Sequence, residues 1–95
     1  MHMDLHQLRL MCYEAAWKFD RGDDCRAESY MCKTFGDERS FRAADRCMQI
    51  HGGMGMSKEL PIECFWRDQR SMMITEGANE VLRMALSRIV LESYN

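Results

Sequence analysis

The sequence has one proline, six glycines and nine aromatic residues in 95 positions, and no stretch of alternating apolar and polar residues that reads as a strand. A sheet is therefore not expected. No apolar run approaches the roughly 18 residues that cross a bilayer, which excludes a membrane-spanning helix. Neither sign of charge dominates. The formal net charge is −2, so nothing draws the chain to nucleic acid or anionic lipid. The opening Met1-His2-Met3-Asp4 lacks a basic segment followed by an apolar one and does not read as a signal peptide. The cysteines, Cys12, Cys25, Cys32, Cys47 and Cys64, are odd in number and lack a Cys-x-x-Cys spacing. Neither a disulfide framework nor a zinc site is expected; they read as small buried hydrophobes in a reducing cytoplasm. His2 and His6 fit one helix face but have no third ligand, so no metal is expected.

What is present is helical. The apolar fraction is 46% and the charged fraction 29%, as in a soluble globular chain. The length suits one modest core. From Asp4 to Asp20 no glycine or proline occurs, and Leu5, Leu8, Cys12, Ala15, Ala16 and Phe19 recur at helical spacing. Arg21-Gly22-Asp23-Asp24 stops that helix, and Asp23 or Asp24 can cap the next. The second helix is expected from Cys25 to His51, with a stripe of Ala27, Met31, Phe35, Phe41, Ala44, Cys47 and Met48. Gly36 interrupts it at a cost of about 1 kcal/mol relative to alanine. Residues 52–58 form a glycine-rich connection, and His51-Gly52-Gly53-Met54-Gly55-Met56 is not expected to continue a helix. A short helix follows from Leu60 to Arg70, with Pro61 in its first turn. The last begins near Gly77 to Asn79, with Asn79 as its cap, and carries Val81, Leu82, Ala85, Leu86 and Ile89. The fold class is all-α: three long helices and one short one, packed as an up-and-down bundle or part of one.

Two segments differ from ordinary bundle sequence. Gln49-Ile50-His51-Gly52-Gly53-Met54-Gly55 offers bare backbone amides that can cradle a phosphate. No strand precedes it and no Gly-Lys-Ser/Thr follows, so the plainer reading is a helix end with Gly52 as left-handed cap. In Thr75-Glu76-Gly77-Ala78-Asn79-Glu80, a glutamate beside a glycine ahead of a helix has the makings of a general base. The plainer reading there is an acidic residue favoured by a helix N-terminus. Arg67, Asp68 and Arg70 read as a solvated face or local ion pairs.

Taken together and in order, these segments resemble the acyl-coenzyme A dehydrogenase family. The pattern runs Ala44, Gln49-Ile50-His51-Gly52-Gly53-Met54-Gly55, Lys58-Glu59-Leu60-Pro61-Ile62-Glu63, Arg67-Asp68, Ile74-Thr75-Glu76-Gly77-Ala78-Asn79-Glu80-Val81, Arg83 and Ser87-Arg88. The first 42 residues fit more weakly, through Ala15-Ala16-Trp17 and Lys33. The resemblance implies FAD-dependent flavoproteins, commonly homotetramers, with a helical domain, a β-domain and a C-terminal four-helix bundle. This chain looks like the last three bundle helices, a single partial domain over 1–95.

Further implications of the resemblance concern chemistry. Family members remove the α-proton of an acyl-CoA thioester while a hydride leaves the β-carbon for the flavin, and pass electrons to an electron-transfer flavoprotein. Glu76 matches the catalytic base, and its backbone amide matches a donor to the thioester oxygen. A carboxylate enclosed by flavin and acyl chain becomes a stronger base. Gly77 matches the position that leaves room for substrate. Gln49, Ile50, His51, Gly52 and Gly53 match a segment touching FAD of a neighbouring subunit; Ala78, Asn79 and Glu80 match one touching FAD of the same subunit. Ala78 replaces a hydroxyl residue common in the family, and Thr75 an aromatic one. The resemblance implies a cytoplasmic or mitochondrial-matrix protein and a 95-residue chain without activity alone. Two other readings stand beside it: a helical assembly module without catalysis, for which Glu76 has no use, and an acyl-CoA oxidase relative.

Overall fold

The computed structural model describes residues 1–95, the whole chain, and contains helices and no strand. Four helices of two turns or more are α1 (His2–Asp20), α2 (Arg26–His51), α4 (Ile62–Met72) and α5 (Asn79–Ser93). Between them lies α3 (Gly53–Met56), a single turn inside the segment expected to be non-helical. Gly52 does end α2, at φ 59 and ψ −139, a conformation closed to L side chains. The chain re-enters one helical turn at once, because Gly55 seats its backbone against the last turn of α2. The short helix starts at Ile62, two residues later than expected, with Pro61 just ahead of it. No helix is long and apolar enough to cross a membrane.

α2 is the axis of the molecule. The backbones of α1, α4 and α5 each approach α2 and not one another. α1 runs antiparallel to α2: Lys18 pairs with Glu28 near one end and Asp4 with Arg39 (3.6 Å) near the other. Between them Leu8 packs over Gly36, where a Cβ would meet its Cδ1 at 3.3 Å. The glycine that costs helix propensity is thus where the two helices come close. α4 returns along the C-terminal half of α2. Trp66 donates to Asp45 Oδ1 (2.9 Å) and packs against Phe41, ring centroids 5.5 Å apart. The Asp24 carboxylate accepts from the Arg26 amide at 3.1 Å, closing the entry to α2.

The apolar stripe of α1 is where the structure departs most from expectation. Asp4, Leu8, Met11, Ala15 and Lys18 turn toward α2, whereas Leu5, Cys12, Ala16 and Phe19 stay exposed. The helix therefore carries apolar residues on two faces, and this chain covers one. The cysteines are likewise not core: Cys12 and Cys64 are exposed and the other three half-buried. Ile62 is the sole buried apolar side chain, at 7% exposure. The molecule measures 52 × 23 × 19 Å, with a radius of gyration of 15.9 Å, against about 13 Å for a compact domain of this size. Its accessible surface is 7134 Å², against roughly 5,700 Å² for a compact monomer of that mass.

Buried polar groups are mostly paired. Thr34 donates to the Tyr30 carbonyl (2.8 Å), Asp37 accepts from Lys33, and Glu28 from Lys18. The Lys18 hydrogen bond holds the Glu28 carboxyl below its ordinary value. A carboxyl lowered by folding stabilises the fold above the unfolded range, about pH 4.3, and loses that contribution as pH falls through the lower folded value. Glu28→Gln is thus expected to lower Tm at pH 7, with the gap to wild type closing as the solution is acidified below about pH 4. Circular dichroism melts across pH check this; a gap constant with pH counts against the pair.

Candidate functional site

The two expected segments occupy different places along α2. Gln49, Ile50 and His51 are its last turn, exposed, with Ile50 76% accessible. His51 Nδ1 lies 2.8 Å from the Cys47 carbonyl, which holds the ring against the last turn of α2. Gly52 and Gly53 are exposed and have nothing within 4 Å of an added Cβ. Beside them an open hollow of about 260 Å³ is lined by Asp45, Met48, Gln49, Gly52 and Met56.

The second segment is the loop from α4 to α5. Glu76 is the one non-glycine residue with positive φ (53), and Gly77 follows at φ 97. The amides of Glu76, Gly77 and Ala78 donate no backbone hydrogen bond. The Glu76 side chain is exposed and unpaired, next to these three free donors. Gly77 is required twice, by its backbone and by Leu82, whose Cδ2 an added Cβ would approach to 3.1 Å. The space beside it is thus filled partly by α5 itself.

Asn79 differs from expectation. Ala78 is the residue ahead of α5, and Asn79 is its first helical residue rather than its cap. The Asn79 side chain is 2% exposed, and its Oδ1 and Nδ2 have no hydrogen-bond partner. Its backbone amide donates to the Met73 carbonyl (3.1 Å), closing the loop on itself. Glu80 is exposed and Ala78 half-buried.

Met72 is held at Lys33 and Arg83 at Glu38, so this loop sits beside the middle of α2. From Glu38 to Gln49 is roughly 16 Å at 1.5 Å per residue. One copy of the chain therefore does not bring the two segments into one pocket. Other open hollows, of about 290 Å³ at Leu8 and 380 Å³ at Phe35, contain none of the expected site residues. The Lys33–Asp37 pair beneath the loop is a feature that motif reading passes over. Its signal is two opposite charges four residues apart, one turn of helix.

Residues 1–91 match the family described as acyl-CoA dehydrogenase, C-terminal domain, and the chain belongs to that family. Butyryl-CoA dehydrogenase from Megasphaera elsdenii superposes with a TM-score of 0.91 at 31% identity, over 96% of this chain and 24% of that one. The FAD complex of PigA gives 0.89 at 30% identity, over 95% and 24%. A chain in the structure described for the electron transferring flavoprotein of Acidaminococcus fermentans gives 0.91 at 28% identity, over 96% and 24%. The chain thus spans about a quarter of the length of the solved chains it matches.

Proposed function

We propose that this chain is the C-terminal helical part of an FAD-dependent acyl-CoA dehydrogenase and supplies its catalytic base. The observation that carries the reading is the Glu76 loop: an unpaired carboxylate on a left-handed backbone, beside three amides without acceptors. A thioester enolate needs both, a base at the α-proton and donors at the oxygen where charge develops. In this reading Glu76 takes the proton and the Glu76 amide donates to the thioester oxygen, while Gly77 lets substrate approach. The free donors and exposed Glu80 suit a polar cofactor edge, with Ala78, Asn79 and Glu80 on the same subunit's FAD. Asn79 contributes backbone there, its side chain being enclosed. Exposed Ile50 and the hollow at Gln49 and Gly52 suit contact with a second subunit's FAD, through Gln49, Ile50, His51, Gly52 and Gly53. FAD, when bound, supplies the acceptor for the hydride. An electron-transfer flavoprotein is the proposed oxidant of the reduced enzyme. The direct test is anaerobic addition of acyl-CoA thioesters to the purified full-length enzyme. Bleaching of the flavin's visible absorbance is expected; an unchanged spectrum across short, long and branched acyl chains counts against the reading.

The isolated chain is proposed to be inactive and self-associated. It has surface to spare, and Leu5, Phe19, Val81 and Leu91 are all more than half exposed. Soluble monomers rarely leave apolar patches of more than a few hundred Å² uncovered. A second copy of the chain is the proposed cover, by symmetric pairing. After incubation with FAD, a sizing column with light-scattering and absorbance detection is expected to show a colourless peak heavier than 11.2 kDa. A yellow peak, or a mass at the monomer value at every concentration, would overturn the corresponding half of this expectation.

A further inference from the structure

We infer that Lys33 is a positioning residue for the base, acting through the end of α4; this rests on the reading of Glu76 as that base. Lys33 belongs to α2, and its ammonium leaves that helix to donate to the Met72 carbonyl, in the last turn of α4. It donates at the same time to Asp37, a carboxylate 7% exposed. Helix C-terminal carbonyls lack partners and carry partial negative charge, so a cation there fixes the point at which the helix ends.

That point matters because the loop bearing Glu76 starts at the next residue. Besides the turn bonds that the Ile74 and Thr75 amides make to the Ser71 carbonyl, the loop has two ties. Lys33 holds the Met72 carbonyl, and the Asn79 amide holds the Met73 carbonyl at 3.1 Å. Between these ties Glu76 keeps a backbone conformation that a non-glycine residue adopts only where its surroundings impose it. No side-chain partner steadies the Glu76 carboxylate, so its place is set by the backbone alone. Asp37 in turn orients the ammonium: it neutralises the half-buried charge and leaves the remaining protons for the carbonyl. Loss of Lys33 removes the hold of α2 on the α4 side of the loop and leaves the Ser71 turn bonds and the α5 side intact.

The test uses the full-length flavoenzyme. Lys33→Met is expected to lower kcat about tenfold to a hundredfold, as a misplaced base does, with KM and flavin content within about twofold of wild type. Lys33→Arg, which keeps a charged donor, is expected to recover most of the rate. Hydrogen exchange is expected to rise in peptides covering 73–79 and to stay unchanged in α1. A wild-type kcat in Lys33→Met overturns the inference, as does unchanged exchange over 73–79. Should Lys33→Met give no folded enzyme, Asp37→Asn carries the same expectations at about two- to fivefold, and a wild-type rate there overturns it equally. Glu76→Gln measured alongside separates the two claims. If that variant keeps full activity, the base assignment fails; if it is inactive while Lys33→Met is normal, the positioning role alone fails.

Discussion

Glu76→Gln in the full-length enzyme is expected to retain flavin and lose most dehydrogenation, by on the order of 10²–10⁴ in rate. The amide has nearly the carboxylate's shape, and Glu76 has no side-chain partner in this domain, so the substitution breaks no contact of the fold. The left-handed backbone at φ 53 accepts either residue at similar cost. The change removes the ability to accept a proton and little else. Melting temperature and flavin content are therefore expected to match wild type. The Glu76 amide remains a donor in the variant, so in the proposed role binding of a substrate analogue is expected to survive while turnover falls. Stopped-flow reduction of the flavin by acyl-CoA measures the step directly. Full kcat in the variant would place the base elsewhere.

Gly55→Ala is expected to destabilise the domain by about 1–3 kcal/mol, the usual cost of forcing a methyl into filled space. An added Cβ would lie 2.7 Å from the Met48 carbonyl oxygen and 3.1 Å from its Cα. Both are backbone of α2, which cannot swing aside as a side-chain tip can. Alanine's better helix propensity, about 1 kcal/mol, is gained only if α3 keeps its place. The clash outweighs it, because relief means lifting α3 from α2. At about 4–8 °C per kcal/mol for a domain of this size, the drop in Tm is readily seen. Gly53→Ala is the control: nothing lies within 4 Å of its added Cβ, and a change near zero or slightly upward is expected. Equal behaviour of the two variants in calorimetry would contradict the packing account.

Helical periodicity and punctuation made the helices legible. Gly22, Gly52 and Gly77 stand at or beside breaks, and all three have positive φ. The single turn of α3 escaped because its cause is tertiary: Gly55 is selected by contact with Met48, which no local pattern reveals. Asn79 was misread as a cap for a similar reason. Its composition suits a cap, yet its side chain is drawn inside and Ala78 takes the boundary. The stripe on α1 is only partly core because Ala16 and Phe19 lie on a face that this chain does not cover, while Leu5 and Cys12 border α2 and stay largely exposed. At the site, the Glu76 and Gln49–Gly53 motifs were legible as motifs. Their separation along α2, and the tie from Lys33 to Met72, depend on how α4 lies across α2 and are invisible in one dimension.

The arrangement of α2 as sole common neighbour has a consequence for how the domain comes apart. Its connectivity is a star, since the backbones of the three outer long arms, α1, α4 and α5, approach α2 and not each other, with α3 wedged between α2 and α4. Losing one arm costs one interface, so α1 can fray from α2 while the Glu76 loop keeps both of its ties. Local opening of this kind follows the boundaries of such units. A break within α2 is different. Gln49 to His51 are part of α2, and the loop of Glu76 hangs from it through Lys33, so melting the centre of the star takes both halves of the proposed site together.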